Sequence, residues 1–541
     1  MSSTVEAAEE AAPAPSSRAA ELAALHPQRA ALELAWPGII ENLIAAAGQA
    51  TIFAFVGHLG AVSTAAVGAA FQFLFLMFPV WRSLAIGTMA HVSRRMGEGR
   101  ARVASDVARQ SLVLGALFGI VFGVGFVVFA APLLRLLGAD EEVVAVSVPI
   151  LAVMGAGSVF QTVWFIAASA IRAAGDSRTP MWLAILSVCV TVPLAFLFID
   201  VLRVGPIGAA YAVVANSAVI CALSLFLLWE GRADLTIRGG AWGLDAALIR
   251  SIFSISLPSA AESALFSVGI LALSGFAFRL GTESSAAHQI VNQVESFSFL
   301  PCIGFSGAAS ALVGQALGMG DPQRAFRSGW AAVRMAFLWS TIAGVVFMVV
   351  PQFLLGVFTN DQHVIDAGVG ALAIIGVGQP AQAVIFTLGG ALRGAGDTRF
   401  PLVATVVNWF FVRLPLAYVL AFPLGARACG GVGRHSRGLF RARGIARVAF
   451  QLGSVAAGAR VTCLVTVPRA GLEPARLIQA SAPRTDVYAI SPPGQVPFQF
   501  TARGPPPSRS KFRHTSRFRA RHGTSGVGYS NGSKRRDARF A

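Results

Sequence analysis

Charge is what this sequence lacks most: Asp, Glu, Lys and Arg make up 13% of its 541 residues, where soluble chains average about 25%. Lysine is nearly absent, with Lys511 and Lys534 the only two. A chain with 55% hydrophobic residues and a mean hydropathy of +0.66 does not read as a soluble globule of this size but as a helical membrane protein. Cysteine is sparse too. Cys189, Cys221, Cys302, Cys429 and Cys463 stand singly, with neither a disulfide framework nor metal-ligand spacing. His58, His91 and His288 show no such spacing either, so no metal and no cofactor is expected. There is no Walker-type loop and no nucleophile motif, hence no catalytic residue to name. The first 31 residues, rich in Ala, Pro, Ser and Glu, lack the apolar region of a signal peptide and read as a disordered cytoplasmic tail.

What is present is a series of apolar runs long enough to cross about 30 Å of hydrocarbon. They fall near 32 to 56, 67 to 92, 112 to 131, 146 to 171, 180 to 200 and 207 to 229, then 255 to 280, 286 to 316, 328 to 351, 366 to 391 and 400 to 423. The connections sort by charge. Fifteen arginines follow even-numbered spans, among them Arg94, Arg95, Arg100, Arg172, Arg232, Arg324 and Arg393, against Arg135, Arg203 and Arg279 after odd-numbered ones. By the positive-inside rule the loops after even-numbered spans, and the N-terminus, are cytoplasmic.

An internal repeat organises these spans. At a constant offset of 221, Pro37 matches Pro258, Glu41 matches Glu262, Gln72 matches Gln293 and Gly97 matches Gly318. The register holds through Gln161 and Gln382 to Arg172, Gly175, Asp176, Arg178 and Pro180, which meet Arg393, Gly396, Asp397, Arg399 and Pro401. Copies with an even number of spans share one orientation, so the fold class expected is an all-α polytopic membrane protein of two parallel-repeat six-helix lobes. The lobes read as 32–230 and 255–424, joined by a cytoplasmic linker at 231–254.

The repeat also predicts a twelfth span opening near residue 428, where the sequence instead turns rich in Arg, Pro, Gly and Ser. Residues 426–541 hold 21 of the 43 basic residues and 3 of the 26 acidic ones, a net charge of +18 against −1 for residues 1–425. Interleaved bases and aromatics around Lys511 to Arg521 could be read as a nucleic-acid or anionic-lipid arm. Periodicity, composition and topology all break where the repeat breaks, however, so 425–541 is read as a disordered basic tail after a lost coding frame, with the twelfth helix missing and no nucleic-acid partner.

The run Leu392-Arg393-Gly394-Ala395-Gly396-Asp397-Thr398-Arg399, its weaker copy Ile171 to Arg178, and the segments Ala287-His288-Gln289, Gly314 to Gly318 and Val56 to Gly60 resemble the multidrug and toxic compound extrusion family of efflux transporters over about residues 32 to 424. The resemblance implies twelve helices in two lobes and export of amphipathic, often cationic compounds against inward Na⁺ or H⁺. With no nucleotide-binding segment, coupling to an ion gradient is expected over ATP hydrolysis, and the unit is expected to be a monomer in the lipid bilayer. Arg172, Asp176, Arg178, Arg393, Asp397 and Arg399 lie on loops after spans 4 and 10 and are expected to fix a hinge or turn, Asp and Arg pairing or capping there.

Cation or proton coupling is expected from Glu41 and Glu262, each four residues after a proline on equivalent spans, and from Glu295. Intramembrane carboxylates persist mainly where they face a partner or an aqueous cavity. The alternatives are a solvated place near the cytoplasmic ends for the first two and neutralisation of Glu295 by Arg82 or Arg413. Where many family members carry acids in the first, seventh and tenth helices this chain has Ile52, Phe266 and Gln382, so those ligands do not carry over. Polar candidates for the cavity lining are Asn42, Gln49, Gln72, Gln161, Asn292, Gln293, Gln382 and Asn408, with interhelical hydrogen bonding as their other role. Trp81, Trp164, Trp409, Phe71, Phe73, Phe75, Phe297 and Phe299 are candidates for an aromatic wall, with lipid-facing or interhelical packing as their other role. A lipid-linked oligosaccharide or polysaccharide flippase shares the two-lobe plan and is the alternative function. A major-facilitator carrier fits the repeated Gly-Asp motif poorly.

Overall fold

The structure is a computed structural model that describes residues 17–136, 140–239, 242–243, 245–279 and 282–419. The place of the predicted twelfth span and the basic tail lie outside these residues. Helix α1 (Ser17–Ala24) is followed by the first lobe: α2 (Pro27–Gly57), α3 (Ala61–Gly97), α4 (Ala101–Leu136), α5 (Glu141–Ala173), α6 (Arg178–Phe196) and α7 (Ile207–Trp229). The second lobe comprises α8 (Ala246–Arg279), α9 (Thr282–Gly318), α10 (Pro322–Val349), the short α11 (Pro351–Gly356), α12 (Gln362–Gly394), α13 (Arg399–Val406) and α14 (Leu414–Val419). π-helical turns continue α6 over Leu197–Val201 and join α13 to α14 over Val407–Arg413. Counting α13 to α14 as one span, eleven helices among the described residues are long and apolar enough to cross a membrane. No strand occurs among those residues.

The apolar runs form these helices because, in lipid, only a helix satisfies every backbone N–H and C=O within its own segment. The helices exceed the runs that betray them. α2 starts at Pro27, where a first-turn proline removes no hydrogen bond, and α8 starts at Ala246, inside the stretch read as linker. Glu41 is therefore the 15th of 31 residues in α2 and Glu262 the 17th of 34 in α8, near mid-helix.

Residues 17 to 24 form a helix where composition suggested a solvated tail. Ala19 and Leu22 are fully buried, Arg18 donates to the Gly175 carbonyl and to Glu33, and Arg324 donates to the carbonyls of Leu22 and Leu25 at 3.1 and 3.3 Å. Burial disfavours the Arg18 charge, but hydrogen bonds to Glu21 and Glu33 more than offset this and raise its pKa. α1 thus touches the loop after α5 in one lobe and the start of α10 in the other.

The named contacts between lobes gather at the end that carries α1 and the arginine-rich connections. Gly38 of α2 faces Gly304 of α9, a Cβ on Gly97 would meet the Gln315 backbone, and one on Gly318 would meet the Arg94 carbonyl. Gln315 also donates to the Ala173 carbonyl at 2.9 Å, and His91 bonds Ser251 at 3.2 Å. Without a hydrophobic driving force in lipid, such small-residue contacts let helix backbones approach and gain dispersion energy.

Candidate functional site

The repeated Arg-x-x-Gly-Asp motif resolves into separate jobs. Gly175 and Gly396 take φ of +99° and +90°, the left-handed position that closes α5 and α12. The N–H groups of Asp176 and Asp397 return to the carbonyls of Ile171 and Leu392. Their carboxylates then cap the next helix: Asp176 accepts from the N–H of Arg178 and Thr179 at 3.0 Å, and Asp397 from those of Arg399 and Phe400 at 3.0 and 3.1 Å. Asp176 further pairs with Arg232 at 3.2 Å, and Arg178 reaches Glu33 at 3.6 Å.

Arg172 and Arg393 do not pair with these aspartates. Each ends its helix by turning inward to the glutamate of its own lobe: Arg172 Nη2 lies 3.0 Å from Glu41 Oε1, and Arg393 Nη1 lies 3.0 and 3.1 Å from the two Glu262 oxygens. The sequence separation is 131 residues in both pairs. The two lobes therefore carry one ion pair each at equivalent positions, joining span 1 to span 4 and span 7 to span 10. Arg393 is 4% exposed and also approaches the Ser306 hydroxyl at 3.4 Å.

The remaining intramembrane charges break the symmetry. Glu295, Arg413 and Arg82 would correspond to Leu74, Val192 and Ile303 at the repeat offset. Glu295 lies deep on α9 beside Gln382 and Gln379 of α12 and faces Arg413, but makes no ion pair among the described residues. The Arg413 Cζ sits 4.3 Å from the centre of the Trp409 ring, and its Nε has no partner. Arg82 lies beside the Glu262–Arg393 pair without a hydrogen bond or ion pair of its own among the described residues, and it keeps accessible surface. Among the described residues, Glu41, Glu262 and Glu295 thus stand against Arg172, Arg393, Arg413 and Arg82.

Around Glu295 the second lobe builds a polar and aromatic wall. Asn292 bonds His288 at 3.1 Å, and Ser298 donates to the buried Gln379 at 2.8 Å while the Gln379 Nε2 stays unpaired. Phe266, Phe299, Phe386 and Trp409 meet edge to face, with centroids 4.5 to 5.7 Å apart. Gln379 and Phe386 escaped the sequence reading, although Gln379 lies three residues before Gln382 and so on the same helical face.

The other polar candidates are dispersed. Asn42 donates to the Gly38 carbonyl of its own helix at 2.7 Å. Gln49, Gln72 and Gln293 are exposed, Gln161 is half-buried, and half-buried Asn408 leaves its Oδ1 unpaired. No group of three His, Cys, Asp or Glu able to hold a metal ion occurs among the described residues.

The MatE family model matches this chain twice, over residues 37–197 and 258–419, and the two starts are 221 residues apart, the offset of the repeat. A probable multidrug resistance protein NorM of Thermotoga maritima is 27% identical over 404 residues, covering 73% of this chain and 86% of that protein. A probable NorM of Brucella suis is 27% identical over 425 residues, covering 74% and 88%. Among solved structures, one described as the outward-facing conformation of a multidrug resistance MATE family transporter of the MOP superfamily aligns with a TM-score of 0.70 at 21% identity, over 84% of this chain and 100% of its own. A MOP superfamily transporter from Pyrococcus furiosus, described as having a binding pocket of reverse polarity, aligns equally well, at 0.70 and 21% over the same shares.

Proposed function

The chain belongs to the MatE family, and from that premise we propose that it exports amphipathic small molecules by secondary antiport, inward Na⁺ or H⁺ driving efflux as the two lobes alternate access. It acts as a monomer in the bacterial inner membrane with its N-terminus in the cytoplasm. The observation that carries this reading is Glu295: of the three glutamates, it alone makes no ion pair with an arginine among the described residues, and it lies beside amide groups and an aromatic wall. Taking up H⁺ or Na⁺ there changes the interior charge by one unit, which is the event antiport needs.

Glu41 and Glu262, the other coupling candidates, already have cations at 3.0 Å. We assign them, with Arg172 and Arg393, to bracing spans 1 and 4 and spans 7 and 10 so that each lobe moves as a body. Asp176, Arg178, Asp397 and Arg399 set the turns at the cytoplasmic ends. Contacts between lobes at that end support an outward-open state here. The test is reconstitution in proteoliposomes: an imposed Na⁺ or H⁺ gradient drives uptake of a fluorescent amphipathic dye by inside-out molecules. Dye movement indifferent to both gradients overturns the antiport reading.

The excess of fixed cations favours a second reading of the substrate. Family resemblance suggests cationic compounds, yet Arg82 has no hydrogen bond or ion pair among the described residues and offers its guanidinium to an anionic group. If substrates place a carboxylate there, Arg82→Gln weakens transport of zwitterionic or anionic dyes about tenfold or more, each 1.4 kcal/mol lost being a factor of ten, and spares purely cationic ones. Equal loss for all dyes returns the cationic reading.

A further inference from the structure

We propose that a cavity of about 490 Å³ between the α1–α2 turn and the first turns of α10 holds the phosphate headgroup of an anionic phospholipid. It is lined by His26 and Gln28 from the turn and by Phe326, Arg327, Trp330 and Arg334 from α10. Arg327 and Arg334 are exposed and have no ion pair or hydrogen bond among the described residues. Seven residues apart, they stand two turns apart on one helix face, about 10 Å along the axis, with Trp330 between them and Phe326 edge-on to it at 6.2 Å.

The position along the helix argues for a lipid. α10 has 28 residues and so spans about 42 Å, about 12 Å more than a hydrocarbon core. Directly after Arg334 its exposed residues turn apolar: Phe337, Leu338, Trp339 and Ile342. Arg334 therefore marks the edge of the hydrocarbon, from which its side chain can snorkel back to the phosphate level, and Trp330 takes the place of an interfacial aromatic. This is the face with the arginine-rich connections, hence the cytoplasmic leaflet, where anionic lipids concentrate.

The fold does not impose this cluster. At the repeat offset, Phe326, Arg327, Trp330 and Arg334 become Ser105, Asp106, Arg109 and Val113, and Arg109 is tied to Asp106. The second lobe alone keeps two free guanidinium groups and an aromatic there. Because the lining comes from two segments already joined by Arg324 to the Leu22 and Leu25 carbonyls, a bound headgroup also fastens α1 to the second lobe.

The test is native mass spectrometry of the full-length protein released from micelles titrated with phosphatidylglycerol or phosphatidylcholine. One phosphatidylglycerol is retained in preference to phosphatidylcholine. The Arg327→Gln/Arg334→Gln protein, which loses two exposed charges, binds it about tenfold or more weaker, and Arg334→Lys largely keeps it. Inorganic phosphate and glycerol phosphate at millimolar concentration leave retention unchanged. Equal retention by the double variant, no preference over phosphatidylcholine, or full displacement by free phosphate overturns the assignment.

Discussion

At the scale of single residues, the repeat made Glu41, Glu262, Arg172 and Arg393 legible as a set, but not as partners. The pairing runs across 131 residues and depends on how span 1 lies against span 4, which no periodicity encodes. Of the two local roles the motif offers, pairing or capping, the aspartates take the cap, and Arg172 and Arg393 turn instead to the glutamates. The pairing has a measurable cost when broken. Arg393→Ala strands Glu262 inside the lobe, and removing one partner of a buried pair costs about 3 to 5 kcal/mol. Thermal unfolding in detergent should show a large drop for Arg393→Ala and a partial return when Glu262→Gln is added, because the stranded charge is gone. An unchanged unfolding temperature in Arg393→Ala would remove the bracing role. Gln379 and Phe386 stayed hidden for a related reason, since a buried amide or ring in an apolar helix looks like any interhelical contact until its neighbours are known.

At the scale of elements, hydropathy gave all eleven spans but not their ends. Hydropathy senses the hydrocarbon thickness, whereas helices such as α2 and α8 run several residues past it and carry Pro27 to Leu34 or Ala246 to Ile255 into contact with other elements. α1 was not legible at all: eight residues of Ser, Arg, Ala, Glu and Leu form no stable isolated helix, and tertiary burial of Leu22 and Ala19 supplies the reason for one. The closed end of the lobes rests on glycines whose Cβ would strike backbone. At Gly318 the obstacle is the Arg94 carbonyl and at Gly97 the Gln315 carbonyl, so neither can be relieved by a rotamer change. Gly318→Val should hold α3 and α9 apart. In a cysteine-free background, a cysteine at buried Ser93 should react with a water-soluble maleimide several-fold faster in the Gly318→Val protein. Equal labelling would mean that these contacts do not govern closure.

At the scale of the whole molecule, two lobes share their turns, caps and one ion pair each, and differ in the charges that stand outside those pairs. In the antiport proposed above, symmetry serves the moving bodies, while the asymmetric Glu295, Arg413 and Arg82 are the place we propose for ion and substrate to compete. The repeat and the family motif were visible in the sequence, and so was Glu295. That Glu295 differs in kind from Glu41 and Glu262 was not, because a carboxylate's partner is a property of the packed structure. The most direct measurement compares wild type with Glu295→Gln in the same proteoliposomes, reading dye transport under an imposed ion gradient alongside dye binding without one. The account predicts that Glu295→Gln still binds dye but no longer responds to the gradient. Gradient-driven transport by Glu295→Gln at the wild-type rate would contradict it.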